Sequence, residues 1–156
     1  MSRTHDYAAR IVWTGDLGTG TRSYRGYERR WQIVTEGKPP IDCSNDPLLG
    51  GDPSRPNPED LLLASLSACH MLWFLHLASN AGIVVRGYQD DPLGVGETAA
   101  DGAGRFLSAT LRPKIKVERG CDLDTADRLH REVHQYCFIA RSVNFPIACE
   151  ARYEEI

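Results

Sequence analysis

The sequence lacks an excess of positive charge. Its 18 Lys and Arg stand against 21 Asp and Glu, a formal net charge of −3. That balance excludes the electrostatic footprint of a nucleic-acid binder or of a protein drawn to anionic membranes. Internal repeats and low-complexity tracts are also missing, and Met1 to Arg10 contains no apolar core of a secretory leader. Cysteine is scarce for a disulfide scaffold: five in 156 residues, an odd number that leaves at least one thiol unpaired within the chain. These absences predict a protein of the reducing cytoplasm. What is present is ordinary for one folded domain spanning residues 1–156. Hydrophobic residues make up 42% and charged residues 25%, enough apolar side chain to offset the ordering entropy that keeps polar chains disordered.

One stretch stands apart. Leu61 to Ala78 carries no Asp, Glu, Lys or Arg and approaches bilayer-spanning length. It includes Ser65, Ser67, His70 and His76 and has no basic flanks, so it reads as a buried core helix, and no membrane partner is expected. Asn57 suits an N-cap, Pro58 the first helical position, Glu59 and Asp60 the first turn, and Gly82 the stop. The helix is apolar nearly all round and needs cover on most sides. A sheet covers one side and a second copy of the chain the other, which predicts a homodimer packed near this helix.

Around it, Tyr7 to Thr14 reads as a strand before the turn-rich Gly15 to Gly20. Ser23 to Val34 reads as a second strand, with Arg25, Tyr27, Arg29, Trp31 and Ile33 on its more apolar face. Gly37 to Pro58 is a long loop with a short strand near Ile41, Ile83 to Gln89 a strand, and Gly94 to Gly104 a flexible connection. Phe106 to Glu118 alternates, with Leu107, Ala109, Leu111, Ile115 and Val117 on one face and Pro113 marking an edge or bulge. Asp124 to about Phe138 is a second helix, with Leu129, Val133, Tyr136, Cys137 and Ala140 as its stripe, and Ile147 to Tyr153 is the closing strand. The order predicts an α+β domain with largely antiparallel sheet.

Cys69 lies within the first helix, roughly 17 Å from its start, too far for the helix N-terminus to activate it. Cys137 faces the core from the second helix and is able to meet Cys69 at disulfide distance. Cys43, Cys121 and Cys149 read as isolated thiols. His130, His134 and Cys137 fall at i, i+4 and i+7, with Cys69 and His70 as further donors, a set that zinc accepts. There is no CxxC or HExxH motif, so no metal and no cofactor is expected, and His130 and His134 read as solvated. A Gly-x-Ser-x-Gly nucleophile elbow is absent as well.

The segment Asn57-Pro58-Glu59-Asp60-Leu61-Leu62, followed by Ser67-Ala68-Cys69, resembles the signature of the OsmC/organic hydroperoxide resistance family, as does the opening Trp13-Thr14-Gly15. The resemblance extends over nearly the whole chain. It implies an OsmC-like fold with a long buried central helix, an intertwined homodimer with sites at its interface, and a thiol peroxidase. In that reading Cys69 attacks an organic hydroperoxide and becomes a sulfenic acid. Cys137 condenses with it to a disulfide, which a dithiol reductant of lipoyl type reopens. An Arg activates the thiolate and a Glu holds that Arg. Arg25 is the choice, nearest the Gly-rich turn, with Arg29 and Arg55 as alternatives, and Glu59 is the Glu. Glu59 lies about 15 Å along a straight helix from Cys69, so it serves the Cys69 of a second copy unless the helix bends. Met71, Leu72, Trp73 and Phe74 are candidates for a greasy substrate pocket. Two departures are visible: Phe138 follows Cys137 where the family carries Pro, and His70 follows Cys69 where the best-known reductases carry an aromatic residue. They point to a less characterised branch and keep a second reading in play, a non-catalytic small-ligand-binding or stress-associated dimer.

Overall fold

The structure is a computed structural model that describes residues 3–156. It divides into two compact units, the first ending at Leu61 and the second running Leu62–Ile156. In the first, β1 (Arg10–Trp13), β2 (Trp31–Val34) and β3 (Ile41–Cys43) form an antiparallel sheet in that order, with Trp13 opposite Trp31 and Trp31 opposite Cys43. The Asp16 carboxylate accepts the backbone N–H groups of Gly18 (2.8 Å) and Gly20 (2.9 Å), which fixes the Gly-rich turn after β1.

The second strand starts at Trp31, not at Ser23. Residues 21–26 form turns instead, apart from an isolated bridge of Tyr27 to Asp16. Arg29 explains the shortening: its guanidinium donates to the carbonyls of Tyr24 (2.9 Å) and Tyr27 (3.1 Å) and so takes acceptors that a ladder would use. Arg25 therefore does not lie on an apolar strand face; it is exposed in a turn.

Helix α1 (Pro58–Asn80) begins and ends where its capping residues require. Asn57 Oδ1 accepts the Asp60 N–H (2.8 Å) and Asp60 Oδ2 accepts the Asn57 N–H (3.2 Å), a reciprocal capping box. At the other end the Gly82 N–H reaches the Ser79 carbonyl and the Ile83 N–H the Ala78 carbonyl, with Gly82 at φ +74°. This Schellman closure needs the left-handed conformation glycine allows. By length and composition α1 is apolar enough to cross a membrane. Within one chain only Leu66, His70, Phe74 and Ala78, a single stripe at every fourth position, are buried. The expectation of burial on most sides is not met by one copy: Leu72, on another face, is 63% exposed.

The second unit holds β4 (Val85–Asp90), β5 (Leu93–Thr98), β6 (Gly104–Leu111), β7 (Pro113–Val117), α2 (Leu123–Val133), β8 (Ile147–Cys149) and β9 (Arg152–Glu155). Two three-stranded sheets result, β4-β7-β9 and β5-β6-β8, each with one antiparallel and one parallel pairing. The single strand expected over Phe106 to Glu118 is thus two. Its ladder is interrupted at Arg112, whose N–H turns to Asp90 Oδ1 (2.7 Å), and Pro113 has no N–H to give. The closing strand divides in the same way into β8 and β9. The stretch expected to be a flexible connection contains β5. Glycine is used there for close approach, because a Cβ on Gly94 would sit 2.5 Å from a Phe106 ring carbon and 3.0 Å from Leu63. Helix α2 ends at Val133, one turn before the expected end, so Cys137 and Tyr136 lie in the turns beyond it.

The expected alternation holds from Ala109 onward: Ala109, Leu111, Ile115 and Val117 point into one core with Leu66, Phe74, Ala78, Leu129 and Val133, while Leu107, expected on the same face, is exposed. Each fully buried large side chain there contributes about 1.5–3 kcal/mol of transfer free energy.

Candidate functional site

Two clusters of reactive side chains form in the second unit. The first is Cys69 with Cys137. Cys69 is half-buried on α1, and Cys137 is fully buried. Although past the end of α2, Cys137 is held as if the helix continued, its N–H donating to the Val133 carbonyl at 2.8 Å. Its sulfur accepts the Ala140 N–H at 3.3 Å. Burial, and then the neighbouring Cys69 side chain, push the Cys137 thiol up to about 11. Cys137 is therefore a protonated thiol close to Cys69. Beside this pair Trp73 stacks on Tyr136 with ring centroids 5.1 Å apart. Of the four apolar residues expected to form one pocket, Phe74 belongs to the core, Leu72 and Trp73 line an open cavity of about 240 Å³ together with His76, and Met71 is half-buried outside both.

The second cluster joins three elements. His70 of α1 and His130 of α2 are 3% and 6% exposed, and His70 Nε2 lies 2.8 Å from His130 Nδ1, so one ring donates an N–H to the other. Cys149, the last residue of β8, places its sulfur 3.7 Å from His70 Nε2 and 3.6 Å from His130 Nδ1. The His130 ring is fixed by face-to-face stacking on Phe74, with centroids 3.9 Å apart. Burial lowers His70 to about 4 and His130 to about 3, and it raises the Cys149 thiol to about 12, helped by the charges of Asp90, Asp127 and Glu150. All three groups are thus neutral near pH 7. They line a cavity of about 540 Å³ together with Asp127, Arg131 and His134.

Two expectations are corrected here. His130 is a buried residue, not a solvated one, while His134 is exposed. Cys149 is a member of a polar cluster, not an isolated thiol. A signal for the histidines was present in the sequence. His70 sits in the Leu66–Phe74–Ala78 stripe and His130 in the Ala126–Val133 stripe, and a histidine inside an apolar helical stripe is placed in the core.

The remaining candidates belong to the first unit. Arg25 is exposed and makes no hydrogen bond or ion pair among the described residues. Arg29 is half-buried, its guanidinium 4.2 Å from the Tyr24 ring centroid and 4.9 Å from that of Tyr27. Arg55 faces Asp52 at 3.3 Å and Asp42 at 3.7 Å. Glu59 is exposed in the first turn of α1.

Comparison with known proteins bears on the family. No curated protein matches the chain. Among solved structures it is similar to an OsmC-like protein of unknown function from Vibrio cholerae (TM-score 0.86, 24% identity, 96% of this chain and 100% of that one). It is also similar to an organic hydroperoxide resistance protein from Elizabethkingia anophelis (TM-score 0.70, 17% identity, 100% of both chains). A third, an organic hydroperoxide resistance protein from Legionella pneumophila, superposes with TM-score 0.69 at 16% identity, covering 98% of this chain and 99% of that one. At such identities these likenesses establish the fold. The family model described as OsmC-like protein matches residues 51–152, which contain Asn57 to Cys69, Cys137 and Cys149, and by that match the chain belongs to the OsmC-like family.

Proposed function

We propose that the protein is a cysteine-based thiol peroxidase that reduces organic hydroperoxides to alcohols. The observation that carries the reading is the closeness of Cys69 to a protonated, fully buried Cys137. The Cys69 thiolate attacks the terminal oxygen of ROOH; the O–O bond breaks, RO⁻ leaves and takes up a proton as ROH, and Cys69 is oxidised to the sulfenic acid. Cys137 sulfur then displaces the sulfenic oxygen, its proton leaves with that oxygen as water, and a Cys69–Cys137 disulfide forms. A dithiol such as a lipoyl group returns both thiols and is itself oxidised to a disulfide. The high position of the Cys137 thiol suits a resolving residue, because it stays protonated and unoxidised until its neighbour is a sulfenic acid.

Arg25 is the activating cation of choice, because Arg29 and Arg55 are already engaged by aromatic rings, carbonyls or carboxylates. Glu59 is its positioning residue. The reading includes a cytoplasmic homodimer, favoured by the apolar surface of α1 that one chain leaves open around Leu72.

Stopped-flow mixing of the reduced protein with cumene hydroperoxide, with dihydrolipoamide as reductant, tests it. Turnover is expected in the native chain and its loss in Cys69→Ser. Turnover retained in Cys69→Ser, or no reaction of the native chain with any alkyl hydroperoxide, refutes it and favours a non-catalytic binding dimer. Mass spectrometry of peroxide-treated protein is expected to give a Cys69–Cys137 crosslink, and Cys137→Ser a persistent sulfenic acid.

A further inference from the structure

The peroxidase chemistry leaves His70, His130 and Cys149 unused, yet the fold gathers a donor atom from each of the three. His70 Nε2, His130 Nδ1 and Cys149 Sγ lie within 4.8 Å of one another. Each comes from a different element of the same unit, α1, α2 and the end of β8, so their placement rests on tertiary packing and not on one flexible segment. Their spacing can be compared with what a metal requires. Zinc bonds of about 2.0–2.1 Å to nitrogen and about 2.3 Å to sulfur, at tetrahedral angles, set N···S separations near 3.6 Å and N···N near 3.3 Å. The two N···S distances are 3.6 and 3.7 Å, already at that value. The N···N edge, at 2.8 Å, has to open by about half an ångström, and the two rings, parallel within 5° and joined nitrogen to nitrogen, have to turn so that both lone pairs face the ion.

Two further observations agree. Asp90, Asp127 and Glu150 place negative charge around Cys149, a field that favours a bound cation. The adjoining cavity of about 540 Å³ gives an entry path and room for a fourth ligand.

We propose that His70, His130 and Cys149 form a three-ligand site for a tetrahedral divalent transition-metal ion, zinc by the softness of its N₂S donor set, with the fourth position open to the cavity. On binding, Cys149 loses its proton to solvent as the metal–sulfur bond forms. The proton that joins the two rings moves to the distal nitrogen of the ring that carried it. The balance is one proton released per ion bound.

The test uses the reduced full chain, stripped of metal with a chelator and titrated with Co²⁺ alone. One Co²⁺ per chain is expected, with a thiolate-to-cobalt charge-transfer band, the intense d–d absorption of a tetrahedral site, bleaching by Zn²⁺, and release of one proton. Cys149→Ser is expected to lose the charge-transfer band and at least about tenfold in affinity, while Cys69→Ser/Cys137→Ser keeps both. Absence of a thiolate band in the native chain overturns the proposal. So does a band that survives Cys149→Ser, or one that disappears in Cys69→Ser/Cys137→Ser. Should circular dichroism show Cys149→Ser to be unfolded, His70→Gln decides: an unchanged cobalt spectrum overturns the proposal, and a weakened or altered one supports it.

Discussion

The buried histidine pair makes the metal-free protein acid-sensitive well above the range in which carboxylates titrate. In the unfolded chain His70 and His130 take up protons as pH falls through 6.5; in the folded chain they resist until about 4 and about 3. The unfolded state therefore binds more protons throughout that window, and stability falls with pH. It is complete above pH 6.5 and declines from there down to the folded values. At pH 5 each group is about 1.5 pH units below its unfolded value, so each removes about 2 kcal/mol and the pair about 4 kcal/mol at most. Both rings are almost wholly buried, so solvent screening does not reduce this much. The groups that face them are accounted for. Asp90 favours the charged form of His70 and His134 opposes it, but burial dominates both. Cys149, Tyr88 and Tyr153 are raised and stay neutral across the interval. The carboxyls of Asp16, Asp52, Asp91 and Asp122 are held below their usual value and titrate lower still.

With a urea dependence of about 2 kcal/mol/M, that loss moves the unfolding midpoint down by about 2 M between pH 7 and pH 5. Equilibrium urea unfolding of the chelator-treated chain, at one protein concentration, reads it directly. The same measurement on His130→Gln is expected to show roughly half the pH dependence. A native midpoint that does not move between pH 7 and pH 5 refutes the reasoning.

Three further outcomes follow from packing. Gly15→Ala puts a Cβ 1.9 Å from the Glu28 carbonyl oxygen and 2.7 Å from Trp13 Nε1; breaking the 2.9 Å Trp13–Glu28 hydrogen bond is expected to red-shift tryptophan emission and cost about 1–3 kcal/mol in urea unfolding. Asn57→Ala removes the N-cap of α1 and is expected to cost about 1 kcal/mol, with Asn57→Asp restoring most of it in the same assay. Phe74→Ala deletes a fully buried ring and the surface on which His130 stacks; a loss of about 3–5 kcal/mol is expected from thermal or urea unfolding.

What could be read from the sequence was what is local. The start and stop of α1 are set by Asn57, Asp60 and Gly82, whose capping groups act within a few residues of each other. The alternation from Ala109 to Val117 depends only on a period of two. Errors arose where a side-chain contact overrides the backbone pattern. Arg29 takes two carbonyls and ends an apparent strand, Asp90 takes the Arg112 N–H and divides another, and the Phe106 ring selects Gly94 and makes a strand of what reads as a loop.

The site divides along the same line. Cys69 is recognisable because the spacing from Asn57 to Cys69 resembles a family signature, and Cys137 because it continues the Ala126–Leu129–Val133 period one turn past the end of α2. Cys149 has no such periodicity. It lies 79 residues from His70 and 19 from His130, and it faces them only because β8 pairs in parallel with β6, with Leu111 opposite Cys149. Parallel pairing of this kind is fixed by the whole fold and not by any neighbouring residue. A shift of β8 by one residue would turn Cys149 to the other face of its sheet and leave two histidines hydrogen-bonded only to each other. The register of one three-residue strand therefore decides whether this core holds a buried imidazole pair or a third ligand for a metal.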